Sequence, residues 1–306
     1  MKAFYLYASL CLLALGTSCS TNEDSMTWSD DPDAVIVNVT AGGLQTRSNP
    51  IADLTDEDKE KTTQFNENDK IKISYDNKST ITYTLTGGKW EPEEGKYLKW
   101  EDGEHTFVAW YPSDALWIMG MLRPVKNQSS IEDLQKADFM QTVNNITEIP
   151  KDRTLNLTLA RRRARVVVNI NKFNEQFGSD EKVKSITFFS DGTPYKLSGD
   201  GGVGTTYVFL IAPSEASSAN EFLSIETTSG AVVKKQAVPE IKEGYSYTYS
   251  LNIGKDRIVF GEVTVEPWTD GGVLPDGGNI SENVTRSLDG ITAPNTEFIV
   301  KPNSNE

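Results

Sequence analysis

The chain has 306 residues, with 30 Lys and Arg against 44 Asp and Glu, a formal charge of −14 and 37% hydrophobic residues. That length suits one large or two ordinary domains, and the apolar content is enough for packed cores rather than wholesale disorder. The acid excess argues against nucleic acid as a partner, because phosphate binding needs clustered Lys and Arg. A single histidine, His105, rules out a multi-histidine metal site.

The first residues set the compartment. Lys2 gives a short basic start, and residues 3–15 form an almost unbroken apolar run of about a dozen residues, too short to span a bilayer and suited to the core of a signal peptide. Gly16-Thr17-Ser18 then leads into Cys19, which resembles a bacterial lipobox, with Cys19 as the lipidated first residue of the exported chain. The alternative is ordinary signal cleavage beside an incidental cysteine. Cys11 leaves with the signal, so no disulfide is expected, and stability must come from cores and strand pairing. Ser20-Thr21-Asn22-Glu23-Asp24 follows as a polar, acidic tether.

From there the pattern is β. Lys70-Ile71-Lys72-Ile73-Ser74-Tyr75 alternates polar and apolar, residues 80–85 do the same, and Asp76-Asn77-Lys78 between them predicts a hairpin turn. Similar runs recur at 106–111, 155–159, 166–170, 183–189, 205–211, 222–227, 245–253 and 258–265, mostly separated by Gly, Pro, Asn or Asp. Only short helices fit, as at 131–136. Short strands at this spacing predict an all-β chain of two tandem antiparallel β-sandwich domains, 48–158 and 159–270, after a signal at 1–18 and a tether at 19–47, with a tail at 271–306.

Two strand-like segments lie outside those bodies. In Asp33-Ala34-Val35-Ile36-Val37-Asn38-Val39-Thr40 the three valines Val35, Val37 and Val39 share one face, and in the tail Thr296, Phe298 and Val300 do the same. Either both are edge strands completing their own sheets, or one strand leaves and another chain's strand replaces it.

The motifs along the chain resemble the fimbrillin family, the type V pilus subunits of Gram-negative anaerobes. The likeness is carried by Cys19, Thr46-Arg47, Phe65-Asn66-Glu67-Asn68-Asp69-Lys70-Ile71 and Ala109-Trp110-Tyr111-Pro112. It continues in Leu155-Asn156-Leu157-Thr158-Leu159 with Ala164 and Val166, and in Leu251-Asn252-Ile253-Gly254 through Val265-Glu266-Pro267-Trp268. The run Arg161-Arg162-Arg163 with Arg165, and the tail after Trp268, depart from the family pattern. The resemblance implies transthyretin-like sandwiches with strand-exchange extensions and a precursor lipidated at Cys19 on the outer membrane. An Arg-specific protease would cut at Arg47, and other fimbrial subunits would be the partners in a polymer that supports cell adhesion. Val35, Val37 and Val39 would then form the removable strand, and Thr296, Phe298 and Val300 the donor. Removing residues 1–47 takes away 2 positive and 5 negative charges, leaving 28 − 39 = −11. The competing protease target is 161–165, for which the alternative is a solvated strand edge or partners for nearby acids.

Other readings stay open beside this one. Six tryptophans could supply sugar-stacking platforms, which would make the protein a carbohydrate-binding surface lipoprotein or a non-polymerising tip adhesin with a host or bacterial surface glycan or protein as partner. The apolar loop containing Leu116, Trp117 and Met119 is either core or a contact site. An enzyme is the weakest class, because no carboxylate pair has meaningful spacing, and no catalytic residue, metal site or cofactor is expected. His105 is expected to be an exposed or half-buried structural residue beside acidic turns.

Overall fold

Strand alternation translates directly into burial in the computed structural model, which describes residues 27–41, 50–55, 65–93, 95–115, 117–118, 121–122, 124–268 and 284–287. In β2 (Lys70–Tyr75) the odd-numbered Ile71, Ile73 and Tyr75 are buried, and in β5 (His105–Tyr111) Phe107, Ala109 and Tyr111 are. β2 and β3 (Ser79–Thr86) form the expected hairpin, with Asp76 and Asn77 at φ 49° and 55° and the Lys78 amide donating to Tyr75 O at 2.8 Å. Positive φ at both central positions gives the turn the twist of its flanking strands, and Asp and Asn accept it at low cost.

β1 (Ile36–Ala41), β4 (Lys89–Pro92), β8 (Met140–Ile146) and β9 (Thr154–Arg161) join these in one seven-stranded sheet of order β1-β9-β8-β5-β2-β3-β4. The sheet curls around a core that includes Val35, Val37, Val39, Ile71, Ile73, Tyr83, Trp90, Phe107 and the three leucines of β9. Two-residue strands β6 (Trp117–Ile118) and β7 (Met121–Leu122) pair separately. The helix α1 (Ile131–Ala137) begins at Ser130, whose hydroxyl accepts from the Asp133 amide at 3.1 Å.

The second half uses β10 (Ala164–Phe173), β11 (Val183–Phe188), β12 (Tyr195–Ser198), β13 (Thr206–Ile211), β14 (Ser217–Thr227), β15 (Val232–Val238), β16 (Tyr245–Ile253), β17 (Ile258–Pro267) and β18 (Val284–Ser287). One sheet has the order β12-β13-β10-β16-β17-β18 and the other β11-β14-β15. Alternate residues Ala164, Val166, Val168 and Ile170 of β10 face the core between them, with Phe188, Phe209, Phe222 and Tyr249. The intervening Val167 and the β13 residues Val208 and Leu210 face the other way, against α1, Ile51 and Trp268. Burial on both faces explains why β10 and β13 read as continuous apolar runs rather than alternating ones.

Two pairings differ from the antiparallel expectation. β1 lies parallel to β9, and β10 parallel to β16. Side-chain alternation has a period of two in either orientation, so the sequence pattern carries no information on strand direction.

Candidate functional site

The first strand is built into the core of the N-terminal sheet. Val35 is fully buried and Val37 and Val39 nearly so, whereas Ile36 between them is 47% exposed. The register sets Val37 opposite Leu155, Val39 opposite Leu157 and Ala41 opposite Leu159. On the outer face Asn38 Nδ2 donates to Asn156 Oδ1 at 2.8 Å, and the hydroxyls of Thr40 and Thr158 lie 3.3 Å apart.

β1 occupies one end of the sheet, pairing with β9 alone, while β4 at the other end runs beside it without pairing. The strand therefore fills a seam. Its lead-in is held from two sides. The Val35 amide donates to Leu98 O at 2.9 Å, the Trp100 amide to Asp33 O at 2.8 Å, and the Ile36 amide to Arg153 O at 3.2 Å. Side chains add a polar grip at the same place. Asp31 accepts from Lys99 Nζ and Tyr97 OH at 2.7 Å each, and Asp33 accepts from Arg153 Nη1 at 3.2 Å. The Lys99 hydrogen bond, with Tyr97 behind it, holds the Asp31 carboxyl well below the usual carboxylate range. Exposed pairs of this kind contribute little each, so the buried valines dominate the docking.

The chain's one histidine opens β5. His105 is buried, correcting the exposed or half-buried expectation. Its Nδ1 is 2.9 Å from Asp76 Oδ2 and 2.8 Å from Tyr75 OH, and its Nε2 is 3.0 Å from Glu101 O. Asp76 also accepts from the Thr106 amide at 2.8 Å, and that bond, with His105, lowers its pKa to about 2. The Asp76 hydrogen bond raises the His105 pKa above the ordinary 6.5. Burial, and secondarily Glu101, pushes Tyr75 up to about 12. A carbonyl at Nε2 and a carboxylate at Nδ1 both want a donor, so the site is matched to the imidazolium. The stability this pair supplies is complete below the unfolded value near 6.5 and is lost as pH rises through the raised folded value. Asp76 acts at the acid end, its contribution lost as pH falls from the ordinary 3.8 through about 2. Urea midpoints from about pH 5 to pH 9 are expected to decline on the alkaline side in the wild type and to flatten there in His105→Gln.

The arginine run forms a buried junction rather than a solvated edge. Arg161 Nε donates to both oxygens of the fully buried Asp138 at 3.0 and 3.1 Å, and Nη2 donates to Oδ2 at 3.0 Å. Burial pushes the Asp138 carboxyl up, while the charge and hydrogen bonds of Arg161 oppose it. Arg165 binds Asp53 through Nη1–Oδ1 at 2.6 Å and Nη2–Oδ2 at 2.7 Å, and also Pro50 O and Ser246 Oγ at 2.9 Å each. The Trp268 ring lies 4.3 Å from the Arg161 guanidinium and 5.0 Å from that of Arg165. Arg163 is buried too, and Arg162 is half-buried and paired with Glu243 at 2.8 Å. The run spans the end of β9, a two-residue link and the start of β10, and the burial of Arg161, Arg163 and Arg165 shields it from a protease, which needs an extended, accessible chain.

Sequence-expected residues are distributed as follows. Val35, Val37 and Val39 come together with the β9 leucines. Cys19, Arg47, Leu116, Met119, Thr296, Phe298 and Val300 lie outside the described residues, as do the signal and most of the tail. Trp117 pairs with Leu122 in the β6–β7 ladder. Trp90 and Trp100 are core, and Trp268 is covered by two arginines, so the sugar-platform reading loses three of its six tryptophans. Sequence reasoning missed Asp53 and Asp138, since isolated acidic residues carry no periodic signal. The available clue was the density of positive charge, four arginines within the five residues 161–165 of an acid-rich chain.

The fimbrillin-like family model matches residues 46–268. A candidate cell adhesion protein from Bacteroides uniformis is similar in structure, with 16% identity and a TM-score of 0.50 over 77% of this chain and 98% of that one. The tip fimbrial protein Mfa3 from Porphyromonas gingivalis, solved with a C-terminal truncation, shows 13% identity and a TM-score of 0.42 over 76% of this chain and 99% of that one. No curated protein matches the chain.

Proposed function

The chain belongs to the fimbrillin-like family, and we propose that it is a structural, non-enzymatic subunit of a cell-surface fimbrium, blocked from assembly by its own first strand until the chain is cut after Arg47. The observation that carries this reading is the placement in the core of Val37 and Val39 on β1, which pairs with β9 alone, and of Val35 in the lead-in that hydrogen-bonds to Leu98, Trp100 and Arg153. A strand that fills a seam in this way is a plug. Its loss leaves three apolar sites and the β9 backbone groups open, and an open edge invites a strand from another chain. Refilling three valine sites recovers roughly 5–9 kcal/mol at about 1.5–3 kcal/mol per side chain, before backbone pairing is counted.

Within this reading, Cys19 carries the lipid that holds the precursor on the outer face of the outer membrane. Other subunits, identical or different, are the partners, and residues 296–301 supply the donor strand through Thr296, Phe298 and Val300. Like-charged mature subunits of net charge 28 − 39 = −11 repel one another, which favours strand exchange over nonspecific association. The test is Arg47→Ala expressed in a host that assembles the wild type. Full-length lipidated precursor is expected to accumulate at the cell surface, seen by mass spectrometry of the N-terminus, with filaments absent by electron microscopy. Normal processing and normal filaments in that variant would remove Arg47 from the account.

A further inference from the structure

Two docked segments flank residues 42–49, and they are docked on different bodies. On one side β1 lies in the N-terminal sheet. On the other, residues 50–55 sit at the junction beneath the C-terminal sheet. Ile51 is buried there with Val167, Val208, Leu210 and Trp268, and Leu54 packs against the same cluster. Arg165 holds this segment with three hydrogen bonds, two to the Asp53 carboxylate and one to Pro50 O, at 2.6–2.9 Å. The guanidinium is itself fixed, being buried, bonded to Ser246 Oγ and set 5.0 Å from the Trp268 ring. A forked pair locked by packing on one partner is strong and directional, unlike a pair between two free surface side chains.

We propose that Arg165 and Asp53 form a clasp that keeps the segment after the processing site seated on the domain junction when the plug leaves. This rests on the reading that the chain is cut between the two docked segments. Its purpose follows from effective concentration. A new N-terminus tethered beside a vacated seam competes with any incoming strand, because an intramolecular segment acts at millimolar effective concentration. Fixing residues 50–55 on the other body takes that competitor away, so the seam stays open for a second subunit. Pro50, which lacks an amide proton, also makes the segment a poor strand for the seam.

The test uses the exported chain from residue 20 onward with a site for a sequence-specific protease placed at 45–47, so that it does not depend on which protease acts naturally. Amide hydrogen exchange is followed before and after cutting, with the Leu54 amide, which donates to Ile51 O at 3.0 Å, as the reporter. In the wild type its protection is expected to survive the cut. In Asp53→Ala it is expected to fall by at least about tenfold after the cut while β10 amides keep theirs. Arg165→Lys, which retains the charge but not the fork, is expected to fall between the two. A dye on Ser48→Cys gives a second readout, since both native cysteines lie in residues 1–19, and it is expected to tumble faster in the cut Asp53→Ala chain than in the cut wild type. Loss of Leu54 protection in the cut wild type, unchanged protection in Asp53→Ala, or equal loosening of β10 would each overturn the clasp. Failure of Arg47→Ala to block processing would move the natural cut elsewhere without touching this result.

Discussion

Val37→Asp is expected to destabilise the intact chain by about 3–5 kcal/mol in urea unfolding, while Ile36→Asp, one residue away, is expected to cost less than about 1 kcal/mol. The difference comes from side-chain direction alone. Val37 is buried opposite Leu155, and Ile36 is 47% exposed. A carboxylate at position 37 would have to be desolvated among leucines without a partner, which costs far more than undocking the strand. The strand therefore comes out, and the penalty is capped by what the plug contributes, namely valine burial plus one ladder of hydrogen bonds. That cap makes the variant informative. Residues 27–41 are expected to become sensitive to protease while β10 remains protected. If Val37→Asp destabilised every strand equally, β1 would be an integral part of the sheet and the plug reading would fail.

The same strand shows how far the sequence is legible. Alternation in residues 33–40 identifies a strand and its buried face, and the structure places Val35, Val37 and Val39 in the core. The partner and direction were not readable, because nothing in Val-x-Val-x-Val distinguishes parallel pairing with β9 from antiparallel pairing with a neighbour in sequence. Strands with mixed polar composition escaped as well. β8 reads Met-Gln-Thr-Val-Asn-Asn-Ile and β15 Val-Val-Lys-Lys-Gln-Ala-Val, patterns in which polar residues interrupt the period of two. Both are specified by the strands beside them, β5 and β14, rather than by their own propensity. β4 contains Pro92 and lies at the end of its sheet, where a missing amide is tolerated. The junction was the least legible part. Asp53, Asp138, Arg161, Arg165 and Trp268 are spread over more than two hundred positions of sequence, and only the fold brings them together.

Asp138→Ala carries the other large expected effect, a loss of about 3–5 kcal/mol, because it removes the carboxylate that three hydrogen bonds tie to a guanidinium that is itself buried. Asp138 follows α1, Arg161 ends β9 and Trp268 follows β17, so this pair ties three elements from both halves of the chain. Replacing both partners, Asp138→Leu with Arg161→Met, is expected to recover most of that loss. The desolvation cost of two charges then disappears together with their attraction, and apolar side chains of similar size fit beside Trp268 and Leu134. A surface pair gives the scale: Glu93→Ala, which removes the partner of Lys96 at 3.9 Å, is expected to cost less than about 0.5 kcal/mol. Urea midpoints of the four variants, the Asp138 and Arg161 singles, their double and Glu93→Ala, decide the matter. If the double variant is as unstable as Asp138→Ala, the ion pair itself holds the junction in register. Recovery means that packing around Trp268 sets the geometry, with the charges satisfying each other inside it.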